Sequence, residues 1–211
     1  MFMNYYYDRS LEAYLRGSGF QTVELGPAAY AAGKANGLKV HYFKRSALLP
    51  RVGLVLGFLR GIEFSSLLDV GSGRGAFLWP FLDEFPDKET HVMDLMPQRV
   101  AVLRAVAAGG TYDLHVHEGD IRTLALPDKS VEVVTMLEVL EHIPDVAGAV
   151  RNAIRIARRH VVVTVPSQRD DNPEHIHLLS RERLRELFGD AGCVKLNFCG
   201  VPGHTFMVAT C

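Results

Sequence analysis

The run Leu67-Leu-Asp-Val-Gly-Ser-Gly-Arg-Gly75 constrains this chain more than any other segment. An apolar stretch ends in an acid, three alternate glycines follow, and an amphipathic segment begins. That order reads as a buried strand, a tight turn and a helix start. Glycine lets a backbone turn sharply and approach a ligand where a side chain would clash. A dinucleotide fingerprint spaces its glycines as G-x-G-x-x-G. Here Gly71, Gly73 and Gly75 are closer together and Asp69 stands just ahead of them, which argues against a phosphate cradle.

Beyond residue 64, short β-branched runs alternate with helical patterns. Strands are predicted at Ser66–Val70, Thr90–Leu95, Leu114–His117, Val131–Leu137 and His160–Val165. Helices are predicted at Ala76–Phe85, disturbed at Pro80, and at Pro97–Ala108, Asp145–Ala157 and Ser180–Phe188. The last two strands, Val194–Cys199 and Thr205–Thr210, are joined by Gly200-Val-Pro-Gly203 and His204, too short a link for a parallel crossover. They must form an antiparallel hairpin. The fold class is therefore α/β: a doubly wound, mostly parallel seven-stranded sheet ending in an antiparallel hairpin. Residues 1–60 follow another pattern, with Tyr5-Tyr-Tyr7, Gly17-Ser-Gly19 and Ala28–Ala32 suggesting short helices. They are expected to form an N-terminal helical cap over a Rossmann-like domain at 61–211. Tyr5–Tyr7 would stack on an aromatic acceptor or pack the cap, and His41 would reach the ligand from it.

At 211 residues and 48% hydrophobic content the chain suits one ordinary core, and its net charge of −1 argues against bulk attraction to nucleic acid or membrane. Residues 1–60 nevertheless carry eight Lys/Arg against three Asp/Glu, a solvated helical face or an anion-attracting entrance. Three cysteines, Cys193, Cys199 and Cys211, have no C-x-x-C spacing, which suggests reduced thiols and a cytoplasmic location. Met1–Tyr5 lacks the basic and apolar regions of a signal peptide, and the apolar Val52–Leu59 is too short to span a bilayer.

The glycine turn resembles the first motif of the class I S-adenosylmethionine-dependent methyltransferases, and the antiparallel ending matches the sheet that this resemblance implies. It covers about residues 60–211. It implies S-adenosylmethionine as cofactor, with Asp69, Gly71 and Gly73 at its amino-acid portion. Asp94 and Leu95 would end strand two at the ribose, Asp120 would take the adenine amino group, Ile121 would pack on the ring, and Leu137 would lie beside the methionine moiety. A nicotinamide dehydrogenase would use the same strand-two acid, but with the longer glycine spacing and without the hairpin.

Leu137-Glu-Val-Leu-Glu-His-Ile-Pro144 follows strand four directly. If it turns helical, Glu138, Glu141 and His142 share one face and form a half-site for a divalent metal such as Mg2+. The run is similar to the E-x-x-E-H of small-RNA 3′-terminal 2′-O-methyltransferases, which add a later metal histidine, and to ubiquinone-pathway O-methyltransferases. The resemblance places that histidine at His175, with His177 the alternative; the aromatic stretch of the RNA enzymes is replaced by Leu178-Leu179. Many small-molecule relatives carry E-H-I/V-P-D here without metal, so metal-assisted and metal-free chemistry both remain open. Catalytic candidates are Glu138, His142 and His175, with an imidazole as proton acceptor when no metal lowers the pKa of a hydroxyl. The expected activity is methyl transfer to an oxygen or nitrogen of a small-molecule acceptor. The alternatives are metal-dependent 2′-O-methylation of an RNA end and a catalytically inactive cofactor-binding subunit. His115 and His117 are expected to be structural.

Overall fold

A computed structural model describes residues 6–20, 27–193 and 195–211. Seven strands form one sheet: β1 (Ser66–Val70), β2 (Glu89–Asp94), β3 (Leu114–Glu118), β4 (Val131–Leu137), β5 (Ala157–Pro166), β6 (Lys195–Val201) and β7 (His204–Thr210). Their order is β3-β2-β1-β4-β5-β7-β6, with β7 antiparallel to both β5 and β6. Among the described residues seven helices accompany them: α1 (Asp8–Gly17), α2 (Pro27–Ala35), α3 (Pro50–Arg60), α4 (Leu78–Glu84), α5 (Pro97–Ala108), α6 (Val146–Ile156) and α7 (Arg181–Asp190). The expected α/β sheet with a closing hairpin is present. The hairpin turn is only Pro202-Gly203, with Gly203 at φ 77°, so β6 and β7 extend further toward each other than the sequence suggests. Tyr5 and Val194 lie outside the described residues.

The chain divides into two compact units, residues 1–48 with 72–118, and residues 49–71 with 119–211. In the first, β2 and β3 pair in parallel, and α5 buries Val100, Leu103 and Val106. Helix α1 packs on α5 at backbone distance: a Cβ added to Gly17 would stand 1.8 Å from the Ala105 carbonyl oxygen, which only glycine avoids. The Ser10 hydroxyl meets the Tyr112 hydroxyl at 3.0 Å beside this contact. Tyr6 stacks on Tyr30 with centroids 4.8 Å apart, and the Arg45 guanidinium lies over the Tyr7 ring. His41 is exposed, in a 3-10 turn at Val40–Phe43. Pro80 does not disturb α4. It is the third helical residue, where an N–H has no acceptor within the helix.

In the second unit β4 runs between β1 and β5, in parallel register with both. Val133, Val134, Met136, Val161, Val162 and Val163 are all fully buried, as parallel strands covered on both faces require. Asp145 caps α6 by accepting the Gly148 N–H, and Ser180 caps α7 by accepting the Arg183 N–H. Cys193, Cys199 and Cys211 are free thiols; Cys193 and Cys211 lie 3.9 Å apart at sulfur. No described helix is long and apolar enough to cross a membrane.

Candidate active site

The segment after β1 enters the turn through Gly71, at φ 69°, where a Cβ would meet Val139 Cγ2 at 2.6 Å. Ahead of it Asp69 is buried and accepts the Thr135 hydroxyl at 2.8 Å, tying β1 to β4. Within the other unit Ser72 N–H donates to the Met93 carbonyl at 3.1 Å, and Gly73 N–H donates to Asp94 Oδ2 at 2.8 Å. Asp94 Oδ1 accepts the Met96 N–H at 2.9 Å, so this buried carboxylate shapes the turn after β2 from both sides. Next to it Leu95 is 62% exposed and Met96 41% exposed. A carboxylate fixed by backbone donors with bare apolar surface beside it fits a ribose and the ring it carries.

Asp120, after β3, caps a 3-10 turn at Ile121–Thr123 and is gripped by the Arg122 guanidinium, which holds its carboxyl below the usual range. Ile121 is 2% exposed, so its side chain belongs to the core of its unit. Leu137 is half-buried at the end of β4, in register with Thr164 of β5.

The segment after β4 is not an α-helix. Glu138 stands at φ 57°, a left-handed conformation costing a non-glycine residue about 1–3 kcal/mol, and a 3-10 turn follows at Leu140–His142. The expected common face of Glu138, Glu141 and His142 is therefore split, because the left-handed residue turns Glu138 away before any helical turn begins. Glu138 Oε1 accepts the Thr164 hydroxyl at 2.9 Å and faces Arg51 Nε at 3.9 Å; Oε2 lies 3.0 Å from His204 Nε2. Arg51 and His204 were missed in the sequence, although the β5–β7 register, which opposes His204 to Pro166, brings the hairpin to this edge.

Glu141, His142 and His175 come together instead, with one ligand atom of each within 4.8 Å of the others. The rings of His142 and His175 are 4.8 Å apart. His142 Nδ1 donates to the Glu174 carbonyl at 2.9 Å and His175 Nδ1 donates to Asp170 at 2.9 Å. Each ring thus keeps Nε2 as its acceptor nitrogen. Glu141 is fully buried and, among the described residues, neither carboxylate oxygen has a hydrogen-bond partner. Burial, reinforced by the Glu138 charge, pushes its pKa up to about 8. His177 is elsewhere: its Nε2 donates to the Ile143 carbonyl at 3.1 Å. Two imidazoles oriented by outer acceptors, with an unsatisfied carboxylate between them, fit a divalent cation.

A cavity of about 600 Å³ is lined by Ser167, Ser180, Arg181, Gly200 and His204 among others. His204 borders both the cavity and the Glu138 carboxylate.

Residues 68–164 match the methyltransferase domain family. A protein of Mycobacterium tuberculosis named as a probable S-adenosylmethionine-dependent methyltransferase is 35% identical over 98 residues, covering 42% of this chain and 36% of its own length. The chain thus spans about a third of the length of the curated relatives it matches. An S-adenosylmethionine-dependent methyltransferase from Aquifex aeolicus superposes with a TM-score of 0.61 at 20% identity, over 75% of this chain and 88% of its own. Phosphoethanolamine N-methyltransferase 2 of Haemonchus contortus, solved with phosphomonomethylethanolamine and S-adenosylhomocysteine, gives 0.64 at 13% identity, over 75% and 52%.

Proposed function

We propose, on the premise that residues 68–164 of this chain belong to the class I S-adenosylmethionine-dependent methyltransferase superfamily, that the protein transfers a methyl group to an oxygen or nitrogen of a small-molecule acceptor. The observation that carries the acceptor class is the 600 Å³ cavity lined by His204, the residue that meets Glu138, a volume that suits a small molecule. S-adenosylmethionine supplies an electrophilic methyl group on a sulfonium, so the chain's main task is in-line placement of the acceptor. Glu138, held by Thr164, Arg51 and His204, presents a fixed carboxylate to an acceptor hydroxyl or amine. His142 or His175 accepts the departing proton at Nε2, the nitrogen that its Nδ1 hydrogen bond leaves unprotonated.

A second reading is favoured by one observation, the unpartnered carboxylate of Glu141 between two oriented imidazoles. Glu141, His142 and His175 would hold a divalent metal, whose chemistry there is to lower the pKa of an acceptor hydroxyl and orient it. Two nitrogen donors favour a transition metal over Mg2+.

The test is homocysteine release, coupled to hydrolysis of the product S-adenosylhomocysteine, across small hydroxyl and amine acceptors. Turnover on one of them that survives EDTA supports the metal-free reading. Turnover lost both in EDTA and in Glu141→Ala supports the metal. Activity only on RNA with a free terminal 2′-hydroxyl overturns the small-molecule acceptor, and cofactor binding without any turnover identifies an inactive subunit.

A further inference from the structure

A second cluster of ligating side chains lies on the outer strands, and the methyl transfer proposed above has no use for it. Parallel register sets His91 opposite His115 and Met93 opposite His117. Side chains alternate along a strand, so Glu89 and His91 of β2 share one sheet face with Asp113, His115 and His117 around β3. The contacts agree: the His91 ring stacks on His115 with centroids 4.7 Å apart and on His117 at 5.2 Å.

We propose that this face binds a divalent transition metal of the zinc class through Glu89, His91 and His115, with Asp113 and His117 as positioning residues. One ligand atom of each of the three lies within 4.8 Å of the other two. Tetrahedral zinc, with bonds of about 2.0–2.1 Å, needs its donors about 3.4 Å apart. Glu89 and His115 are exposed, so rotation of two surface side chains closes the difference without moving backbone.

The outer partners set the tautomers that ligation requires. His115 Nε2 lies 2.9 Å from the Asp113 carboxylate, which can only accept, so Nδ1 is the free donor toward a metal. His91 Nδ1 lies 2.9 Å from His117 Nε2. With the proton of that contact on His91 Nδ1, His117 Nε2 accepts it and His91 Nε2 is left for the metal. His91 Nε2 faces Glu89 Oε1 at 3.2 Å, so these two ligand atoms already meet at one position. Imidazole ligands whose far nitrogen donates to a carboxylate or other acceptor are the usual arrangement around bound zinc. The bound ion would clamp β3, the terminal strand of the sheet, to β2.

The experiment titrates zinc chloride into untagged, EDTA-stripped protein by calorimetry, for the wild type and for His115→Gln, Glu89→Gln, Asp113→Asn and the double variant His142→Gln/His175→Gln. Expected is a wild-type site that the double variant retains. His115→Gln and Glu89→Gln should weaken it at least 10-fold and Asp113→Asn by about 10-fold. Zinc should also raise the melting temperature of the wild type and not of His115→Gln. Because Glu89 is exposed on the surface, Glu89→Gln stays folded and decides the matter if His115→Gln does not. No zinc binding by the wild type, binding unaffected by the β2 and β3 variants, or binding lost only in the double variant would each overturn the proposal.

Discussion

An ionised carboxylate with no donor beside it costs several kcal/mol to bury, and Glu141 avoids that cost by holding its proton to a pKa of about 8. The sign of the pH dependence follows. In the unfolded chain the group ionises near its ordinary value of 4.5, so between there and pH 8 the folded state binds one more proton than the unfolded state. Stability therefore falls with rising pH across that window, by about 1.4 kcal/mol per pH unit from this group. It is level below the window, and above it the full loss persists. Glu141→Gln, neutral at every pH and of the same volume, removes the slope. Urea denaturation in EDTA at pH 5, 6 and 7 is expected to show the variant gaining on the wild type as pH rises. A difference between the two proteins that is constant with pH would mean that Glu141 is ionised in the fold. The same residue shows where the sequence stopped being informative. E-x-x-E-H announced a cluster of acids and an imidazole, but burial of Glu141 and the departure of Glu138 toward Arg51 and His204 depend on a left-handed backbone at Glu138. No residue type at that position signals it, since the position is not glycine or asparagine.

Elements were legible where pattern and punctuation agreed. β1, β4 and α5 begin and end where the sequence places them, because an apolar pattern of clear period, closed by glycine, an acid or a proline, admits one reading. The hairpin was legible from loop length alone. Boundaries moved where hydrogen bonding across strands decided them: β5 begins at Ala157, directly after α6, and β7 begins at His204 against Pro166. Harder to read was the partner of α1, since its packing on α5 rests on the absence of side chains. Gly17 faces Ala105 and Gly109 faces Ala13, where an added Cβ would stand 2.1 Å from the Ala13 carbonyl oxygen. A glycine in a helical pattern reads as a terminus, not as a contact. Gly17→Ala is therefore expected to push the two helices apart, at a cost of about 1–3 kcal/mol. In a chain of this length that lowers the melting temperature by about 2–12 °C. Gly57→Ala, in α3 with nothing within 4 Å of the added carbon, serves as the control and should be neutral or slightly stabilising. Equal effects of the two substitutions would remove the close α1–α5 approach as the reason for glycine at position 17.

For the whole molecule, a ligand that binds only the folded state raises stability by mass action, so cofactor binding is measurable without knowing the acceptor. S-adenosylhomocysteine at about 100 times its Kd adds about 2.7 kcal/mol, or about 5–11 °C in melting temperature for a chain of this length. Asp94 is a poor probe of that binding, because its carboxylate also accepts the Gly73 and Met96 N–H groups and its loss would weaken the turn itself. Leu95 separates the two roles. It follows Asp94 directly and is 62% exposed, so Leu95→Asp leaves the unliganded melting temperature unchanged. It would place a solvated charge where the apolar ring is proposed to rest, and should cut the ligand-induced rise to less than half. A wild-type protein whose melting temperature does not move with S-adenosylhomocysteine would remove the cofactor assignment. A full rise in Leu95→Asp would instead move the ring away from the turn after β2, while leaving the assignment standing.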